Sequence, residues 1–160
     1  MIVIGIDPGK RGGVAMLDSV YCGGVDHFSR MMPDSPVGFA MSIKEAVLCE
    51  GKSEVVVAYV ELVHSMPKQG VASTFSFGKG FGEILGVLAA LNIRTELVSP
   101  QKWKRAVLAG TDRDKAAAIQ FVQENYPYID LTPGRCRVPQ DGIADAVCIA
   151  HYGMLQETKK

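Results

Sequence analysis

The stretch that decides the fold is IVIGIDPGKRGGVAML, at residues 2–17. Its first part, Ile2 to Ile6, is an apolar run that ends at Asp7-Pro8-Gly9, which predicts a buried strand followed by a turn. The extended apolar pattern resumes from Gly12 to Leu17 and predicts a second strand. A third, more polar strand is expected from Tyr21 to Phe28, so the chain is predicted to open as an antiparallel meander.

The rest of the sequence alternates predicted helices with predicted strands. Two further strands are expected at residues 54–61 and 95–98, the first of them uninterrupted by polar residues. Helices are expected at residues 36–49, 73–91, 101–108, 112–126 and 141–155, with Thr111 as the N-cap of the fourth. This order describes one α/β domain over residues 1–160, in which a mixed five-stranded sheet is flanked by helices.

The composition fits an ordinary globular domain and excludes several classes of protein. The 160 residues are 48% hydrophobic and 21% charged, which excludes intrinsic disorder. No apolar stretch approaches the ~20 residues that cross a bilayer, and the N-terminus lacks the basic segment of a signal peptide. We therefore expect a cytoplasmic protein with no membrane span. The four cysteines lack the spacing of a zinc site and are expected to be reduced thiols.

The charge is balanced overall but unevenly distributed. Lysines and arginines number 17, as do aspartates and glutamates, so the formal net charge is zero. Residues 64–115 hold 8 basic and 4 acidic side chains, whereas residues 1–63 hold 5 basic and 8 acidic ones. A neutral protein with a basic central segment is compatible with local binding of an acidic partner such as DNA.

Four carboxylates are the candidate chemical groups. Asp7 and Glu61 end two strongly apolar strands, and they meet at one edge of the sheet if those strands are neighbours. Asp141 and Asp145 are four residues apart in a predicted helix, so they share one face of it. Two acids on a face that otherwise carries Ile149 are costly unless a cation meets them.

Carboxylates without nearby histidine or cysteine are the ligands of hard cations such as Mg²⁺. Two such ions about 3.5–4 Å apart can promote an in-line displacement at phosphorus. Taken singly, three of the acids also allow structural roles: a turn cap for Asp7, a solvated strand end for Glu61 and an N-cap for Asp141. Asp145 is hard to explain in that way, which favours a metal site.

Three motifs together resemble those of a known family. IGIDPGKRGGVAML, VVVAYVE and QDGIADAVCIAHYG are similar to the acidic signature of RuvC-type Holliday-junction resolvases, and bacteriophage forms are the most similar. The resemblance implies a ribonuclease H-like fold in which Asp7, Glu61 and Asp145 are catalytic metal ligands. Cellular members usually place a further acid or histidine three residues before the last one. This chain has Gly142 there, and Asp141 is the expected substitute.

The resemblance also implies an activity. It implies a crossover junction endodeoxyribonuclease that makes paired symmetric nicks in four-way DNA junctions during recombination, repair or phage DNA processing. Two Mg²⁺ ions are expected as cofactor, with Mn²⁺ able to substitute, and the products are expected to carry 5′-phosphate and 3′-hydroxyl ends. A homodimer would supply the two matched incisions.

DNA-binding residues are expected in the basic central segment. Family members present junction-contacting residues in the loop after the fourth strand, which here contains His64, Met66 and Lys68. Further phosphate-binding residues are expected at Lys102, Lys104, Arg105 and Lys115. Solvated surface positions are the alternative for these cations, and packing beneath its own helix is the favoured role of Trp103.

The helix predicted at residues 73–91 carries glycines at positions 78, 82 and 86. Because each glycine weakens a helix interior by about 1 kcal/mol relative to alanine, the stripe indicates close packing by another backbone. The family dimerises through this helix, so the stripe predicts a dimer contact. Packing of the helix on its own sheet is the equally weighted alternative. His151, on the helix that carries two of the acids, is interpreted as structural, with proton shuttling as the alternative.

Three other functions remain open from sequence. A broader nuclease would cut forks or flaps as readily as four-way junctions. A catalytically silent protein would bind junctions without cutting them, which the Gly142 departure keeps open. A nucleotide-binding protein of the actin or sugar-kinase superfamily also begins with Ile-Asp-x-Gly, but that fold needs two such domains.

Overall fold

The computed structural model describes residues 1–18, 28–48, 56–63 and 70–160. In these ranges the strands are β1 (Ile2–Asp7), β2 (Gly13–Asp18), β3 (Phe28–Met31), β4 (Val56–Glu61) and β5 (Arg94–Val98). The helices are α1 (Pro36–Leu48), α2 (Val71–Ala90), α3 (Pro100–Val107), α4 (Lys115–Asn125) and α5 (Asp141–Glu157). None of these helices is long and apolar enough to cross a bilayer.

The strands form one mixed sheet in the order β3-β2-β1-β4-β5. β1 pairs antiparallel with β2 and β2 antiparallel with β3, as the meander predicted. β1 also pairs parallel with β4, and β4 parallel with β5. The expected neighbourhood of the first and fourth strands is therefore confirmed, and the α/β class with a mixed five-stranded sheet is confirmed with it.

Each face of the sheet is covered by helices because the central strands are apolar on both sides. Ile2, Ile4 and Ile6 pack with α1 and α2 on one face. Val3 and Tyr59 lie on the other face, among buried residues of α3, α4 and α5. The alternation follows from the period of two in a strand, which sends odd and even positions of β1 to opposite faces.

Glycines bring α5 unusually close to the sheet. A Cβ on Gly5 of β1 would collide with the backbone of Ala146 and Ala150 in α5. At the other end of the contact, Gly12 forms a parallel bridge with Gly142. The N-terminal turn of α5 is therefore held directly against the turn that follows β1.

The C-terminal end of α5 is fixed by a charged cluster around Glu157. Tyr59 donates a hydrogen bond from its hydroxyl to Glu157 Oε1 at 2.7 Å, and an Arg94 guanidinium nitrogen lies 2.6 Å from Oε2. The hydrogen bonds from Arg94, Lys160 and Tyr59 lower the pKa of Glu157 to about 2, against the effect of burial. The helix is thus anchored at both ends, which fixes the acids that it carries.

Most predicted boundaries lie within two residues of the observed ones, but two differ by three residues. The third strand was expected from Tyr21 to Phe28, but it continues to Met31, because Phe28–Met31 pair with Gly13–Met16; residues 21–27 lie outside the described part, so that portion stays a prediction. The N-cap of α4 is Asp114, whose side chain accepts a hydrogen bond from the Ala117 amide, and not Thr111. Thr111 instead accepts from the Arg113 amide in the preceding turn.

The glycine stripe of α2 does not pack on the sheet. Gly78, Gly82 and Gly86 are exposed, and a Cβ at any of them would meet nothing within 4 Å in the described part of the chain. The helix packs on the sheet through Ile84 and Leu88 instead. Sheet packing therefore does not account for these glycines.

Candidate active site

Asp7 and Glu61 reach one edge of the sheet on the same face. The parallel register pairs Ile6 with Val60, so Asp7 and Glu61 form the next pair along β1 and β4. Asp7 is four residues after Val3 in β1, and Glu61 is four residues after Val57 in β4. Because strand side chains alternate between faces, both acids lie on the same face as Val3 and Val57, which is the face covered by α5. Both acids are half-buried.

The two aspartates of α5 lie at its N-terminal end. Asp141 is the first residue of the helix and follows its N-cap, Gln140, so it is not itself the N-cap. Asp145 lies one turn later, next to Ala146, whose carbonyl approaches Gly5 of β1. The core face that the sequence predicted is confirmed, since Ile149 is fully buried further along the helix. Close packing of α5 on β1 thus carries Asp145 toward Asp7.

The four acids interact electrostatically and are here called the carboxylate cluster (Asp7, Glu61, Asp141 and Asp145). Burial, followed by the charges of Glu61, Asp145 and Asp141, raises the pKa of Asp7 to about 8. Burial also raises the pKa of Asp145 to about 6, although the positive charge of Lys104 opposes that shift. Ionised carboxylates in such a site need a cation to offset burial and mutual repulsion.

Asp141 has a different environment from the other acids. Its carboxylate forms an ion pair with Lys115, and a guanidinium nitrogen of Arg11 lies 4.0 Å from its Oδ1. The hydrogen bond from Lys115 lowers the pKa of Asp141. Asp141 is therefore stabilised as a carboxylate by neighbouring cationic side chains.

The donors of the carboxylate cluster fit a hard divalent cation. Asp145 Oδ1 is buried and has no hydrogen-bond partner among the described residues, which is costly unless another group meets it. The acids nevertheless stand apart: within the described ranges, no three Asp, Glu, His or Cys side chains are grouped closely enough to enclose an ion. The unpartnered oxygen and the oxygen-only donor set are the features that fit Mg²⁺ or Mn²⁺.

Glu61 is held by a residue that the sequence interpretation had assigned only to packing. The indole nitrogen of Trp103 donates a hydrogen bond to Glu61 Oε1 at 2.8 Å. Trp103 is fully buried in the core on the α5 face, as expected, but its polar edge reaches the carboxylate cluster. The signal for this contact is absent from the sequence, because 42 residues separate the two positions.

A basic groove lies beside the carboxylate cluster. Its cavity, about 770 Å³, is lined by Ser99, Pro100, Gln101, Lys102, Lys104, Arg105 and Arg113. Three of these cations were predicted to bind DNA, and Arg113 was missed. Arg113 has φ of 57°, a left-handed conformation that is uncommon outside glycine. The sequence TDRDK offered a weak signal for it, since Arg113 precedes the predicted phosphate-binding Lys115 by two residues.

Other predicted residues fall outside this arrangement or outside the described residues. His64, Met66 and Lys68 belong to residues 64–69, which lie outside the described part, so their DNA contacts stay predictions. His151 is packed against the Phe121 ring, and its Nδ1 is 2.6 Å from the Tyr126 hydroxyl. Burial lowers the pKa of His151, consistent with a structural role in this aromatic cluster.

Comparison with known proteins finds similarity in structure alone. No protein-family model matches the chain, and no curated protein matches its sequence. Thermus thermophilus RuvC has a TM-score of 0.59 and 18% identity, with 99% of this chain and 96% of that chain covered. T. thermophilus RuvC in complex with Holliday junction substrate has a TM-score of 0.60, 16% identity and the same coverage.

A eukaryotic structure is also similar. The yeast mitochondrial Holliday junction resolvase Ydc2 has a TM-score of 0.55 and 13% identity, over 98% of this chain and 79% of that one. At identities this low, the TM-scores establish a shared fold and nothing more. The chain therefore has the fold of RuvC-type resolvases, which confirms the fold expected from the three sequence motifs.

Proposed function

We propose that this chain, over residues 1–160, is a divalent-metal-dependent endonuclease that resolves four-way DNA junctions by paired nicks, in recombination, repair or phage DNA processing. The observation that carries the proposal is the position of half-buried, electrostatically coupled acids from β1, β4 and α5 on one face of a RuvC-like sheet. Junction DNA is the substrate proposed because the similar structures include a RuvC bound to a Holliday junction.

Asp7, Glu61 and Asp145 are the proposed ligands of two Mg²⁺ ions, with Mn²⁺ as a substitute. Asp7 is proposed as the central ligand because it ends β1 between the acids of β4 and α5, and because burial and the charges of those acids all raise its pKa. Bound cations would supply charge neutralisation at the phosphate and a lowered pKa for the attacking water. Asp141, already paired with Lys115, is assigned to the margin of the site, where it completes the second ion's surroundings.

The basic groove is the proposed path of the DNA backbone. Lys102, Lys104 and Arg105 line it together with Arg113, while Lys115 lies beside Asp141. Lys104 also acts electrostatically on Asp7 and Asp145, which supports a position for the groove next to the acids. Such contacts recognise the shape of the backbone and not its base sequence.

A homodimer is proposed through the exposed face of α2. Val71 and Phe75 are 87% and 74% exposed and precede the glycine stripe at helical spacing. An apolar stripe with glycines lets two helices approach closely, and a two-fold dimer would present two carboxylate clusters to a two-fold substrate.

The test is incision of a labelled four-way junction by the wild type and by Asp7→Asn, with and without Mg²⁺. We expect paired nicks only from the wild type with Mg²⁺. Nicking by Asp7→Asn at the wild-type rate would contradict the assignment of Asp7 to the active site. Equal cleavage of mobile junctions, fixed junctions and forks would favour the broader branched-DNA nuclease, and tight binding without incision would favour a silent junction-binding protein.

A further inference from the structure

Trp103 is the single tryptophan of the chain, and it makes one specific polar contact. Its side chain is fully buried, and its Nε1 donates to Glu61 Oε1 at 2.8 Å. A buried indole N–H needs an acceptor, and a carboxylate makes the stronger, charge-assisted kind of hydrogen bond. The acceptor here belongs to the carboxylate cluster.

This hydrogen bond restricts a flexible acid. Glu61 ends β4 and is only half-buried, so its side chain has several rotamers available unless a partner selects one. The indole engages Oε1, and within the described part of the chain no hydrogen bond to Oε2 is found, so Oε2 is the oxygen proposed to face a cation. Because Trp103 is itself fixed by the core, the donor is held rigidly.

The same ring also contacts a cation of the basic groove. Lys104 Nζ lies 5.2 Å from the centre of the Trp103 ring, within the range of a cation–π interaction. Trp103 therefore touches Glu61 with its edge and Lys104 with its face. Through this one side chain, α3 is connected to both the acids and the proposed DNA path.

We propose that Trp103 is a positioning residue, which orients the Glu61 carboxylate for a divalent cation and so sets the metal affinity of the site. This inference rests on the proposed metal-dependent function. Groups that hold metal ligands in place from behind typically change metal affinity by ~10–100-fold when they are removed.

The first test compares Mg²⁺ binding by the wild type and by Trp103→Phe, measured by calorimetry on the full chain without DNA. The variant keeps an aromatic ring and removes the N–H, so we expect its Kd for Mg²⁺ to rise about tenfold. Tyr59→Phe is the matched control. It also removes an aromatic donor to a carboxylate, but at Glu157, at the opposite end of α5. Its Kd is expected to equal that of the wild type.

The second test needs no substitution and applies even if Trp103→Phe fails to fold. The chain has one tryptophan, so its ¹H–¹⁵N spectrum contains one indole resonance. We expect this resonance to shift during a Mg²⁺ titration and to saturate at the calorimetric Kd. A resonance that stays unmoved while calorimetry records binding would overturn the proposal.

The outcomes separate this proposal from the one on which it rests. Wild-type protein that takes up no Mg²⁺ would overturn the proposed function and this inference together. Wild-type binding with equal affinity in folded Trp103→Phe would overturn the positioning role alone and leave the metal site standing.

Discussion

Asp7 is influenced by every other acid of the carboxylate cluster, and burial adds to their effect. Its folded-state pKa of about 8 lies far above its ordinary value of 3.8. Between these two values the folded protein binds a proton at Asp7 that the unfolded chain releases. The stability that protonated Asp7 contributes to the folded state is therefore fully present below pH ~4 and is lost as the pH rises through about 8.

Asp7→Asn is accordingly expected to stabilise the metal-free protein at alkaline pH, because it removes the buried charge. In chelator at pH 8 we expect the Tm of the variant to exceed that of the wild type by ~5 °C or more, with little difference at pH 4. Thermal unfolding followed by circular dichroism measures this. A variant that melts below the wild type at pH 8 would show that Asp7 is not under electrostatic strain.

Gly142 shows why this chain departs from the spacing of cellular resolvases. A Cβ at Gly142 would collide with the Arg11 carbonyl and with the Gly12 backbone, which bridges to it. An acid therefore cannot occupy position 142 without moving α5 away from the turn after β1. Asp141 is the adjacent position that can carry one.

Gly142→Ala is expected to lower the free energy of unfolding by about 2–4 kcal/mol, because the new methyl group overlaps backbone atoms that cannot yield. Gly80→Ala is the matched control, in α2 but outside the glycine stripe, where a Cβ meets nothing within 4 Å among the described residues. It is expected to raise stability by up to ~1 kcal/mol through helix propensity. Urea unfolding of both variants measures the difference, and equal effects would contradict the packing argument.

At the scale of the elements, the sequence predicted the parts of the fold that follow from apolar patterns. β1 and β4 were identifiable because long β-branched runs end in an acid, and their pairing then brought Asp7 and Glu61 together. α5 was predicted from residue 141 and begins there. These elements hold all four acids, so the site was largely predictable.

What the sequence could not predict depends on turn geometry and long-range contacts. The start of α4 was misplaced because Arg113 adopts a positive φ that interrupts the expected helix. The Trp103 to Glu61 hydrogen bond joins distant positions, and an apolar pattern treats Trp103 only as a core residue. The glycine stripe of α2 was equally compatible with packing on the sheet and with a dimer contact. The spacing of glycines does not say whether the surface that packs on them belongs to the same chain or to a second copy.

α3 presents three of the four cations of the basic groove, and Lys104 is the one of these three that acts on Asp7 and Asp145. Lys104→Ala is expected to weaken junction binding and to lower the slope of log K against log salt by about one, because one phosphate contact is lost. Fluorescence anisotropy without Mg²⁺ measures binding across a salt series. Lys44→Ala is the control, since Lys44 is exposed on α1, which packs on the other face of the sheet. If Lys104→Ala bound junction DNA with unchanged affinity, the proposal that α3 contacts the DNA backbone would be contradicted.

For the whole molecule, the exposed face of α2 and the two-fold symmetry of the proposed substrate, a four-way junction, point to the same assembly. Gly82→Trp is expected to leave the fold of each chain intact, because no described residue lies within 4 Å of a Cβ at Gly82. Sedimentation velocity is expected to find a dimer for the wild type and a monomer for the variant, because the indole would separate the paired helices. Paired nicking should become single nicking. A dimer that survives the substitution would place the interface elsewhere.

The central claim is that acids from β1, β4 and α5 bind divalent cations together. Anomalous scattering from a crystal soaked in Mn²⁺ tests this most directly, because it locates the metal without reference to activity. We predict anomalous peaks within coordination distance of Asp7, Glu61 and Asp145, and loss of those peaks in Asp7→Asn. Peaks that avoid these residues, or no peak at saturating Mn²⁺, would contradict the account.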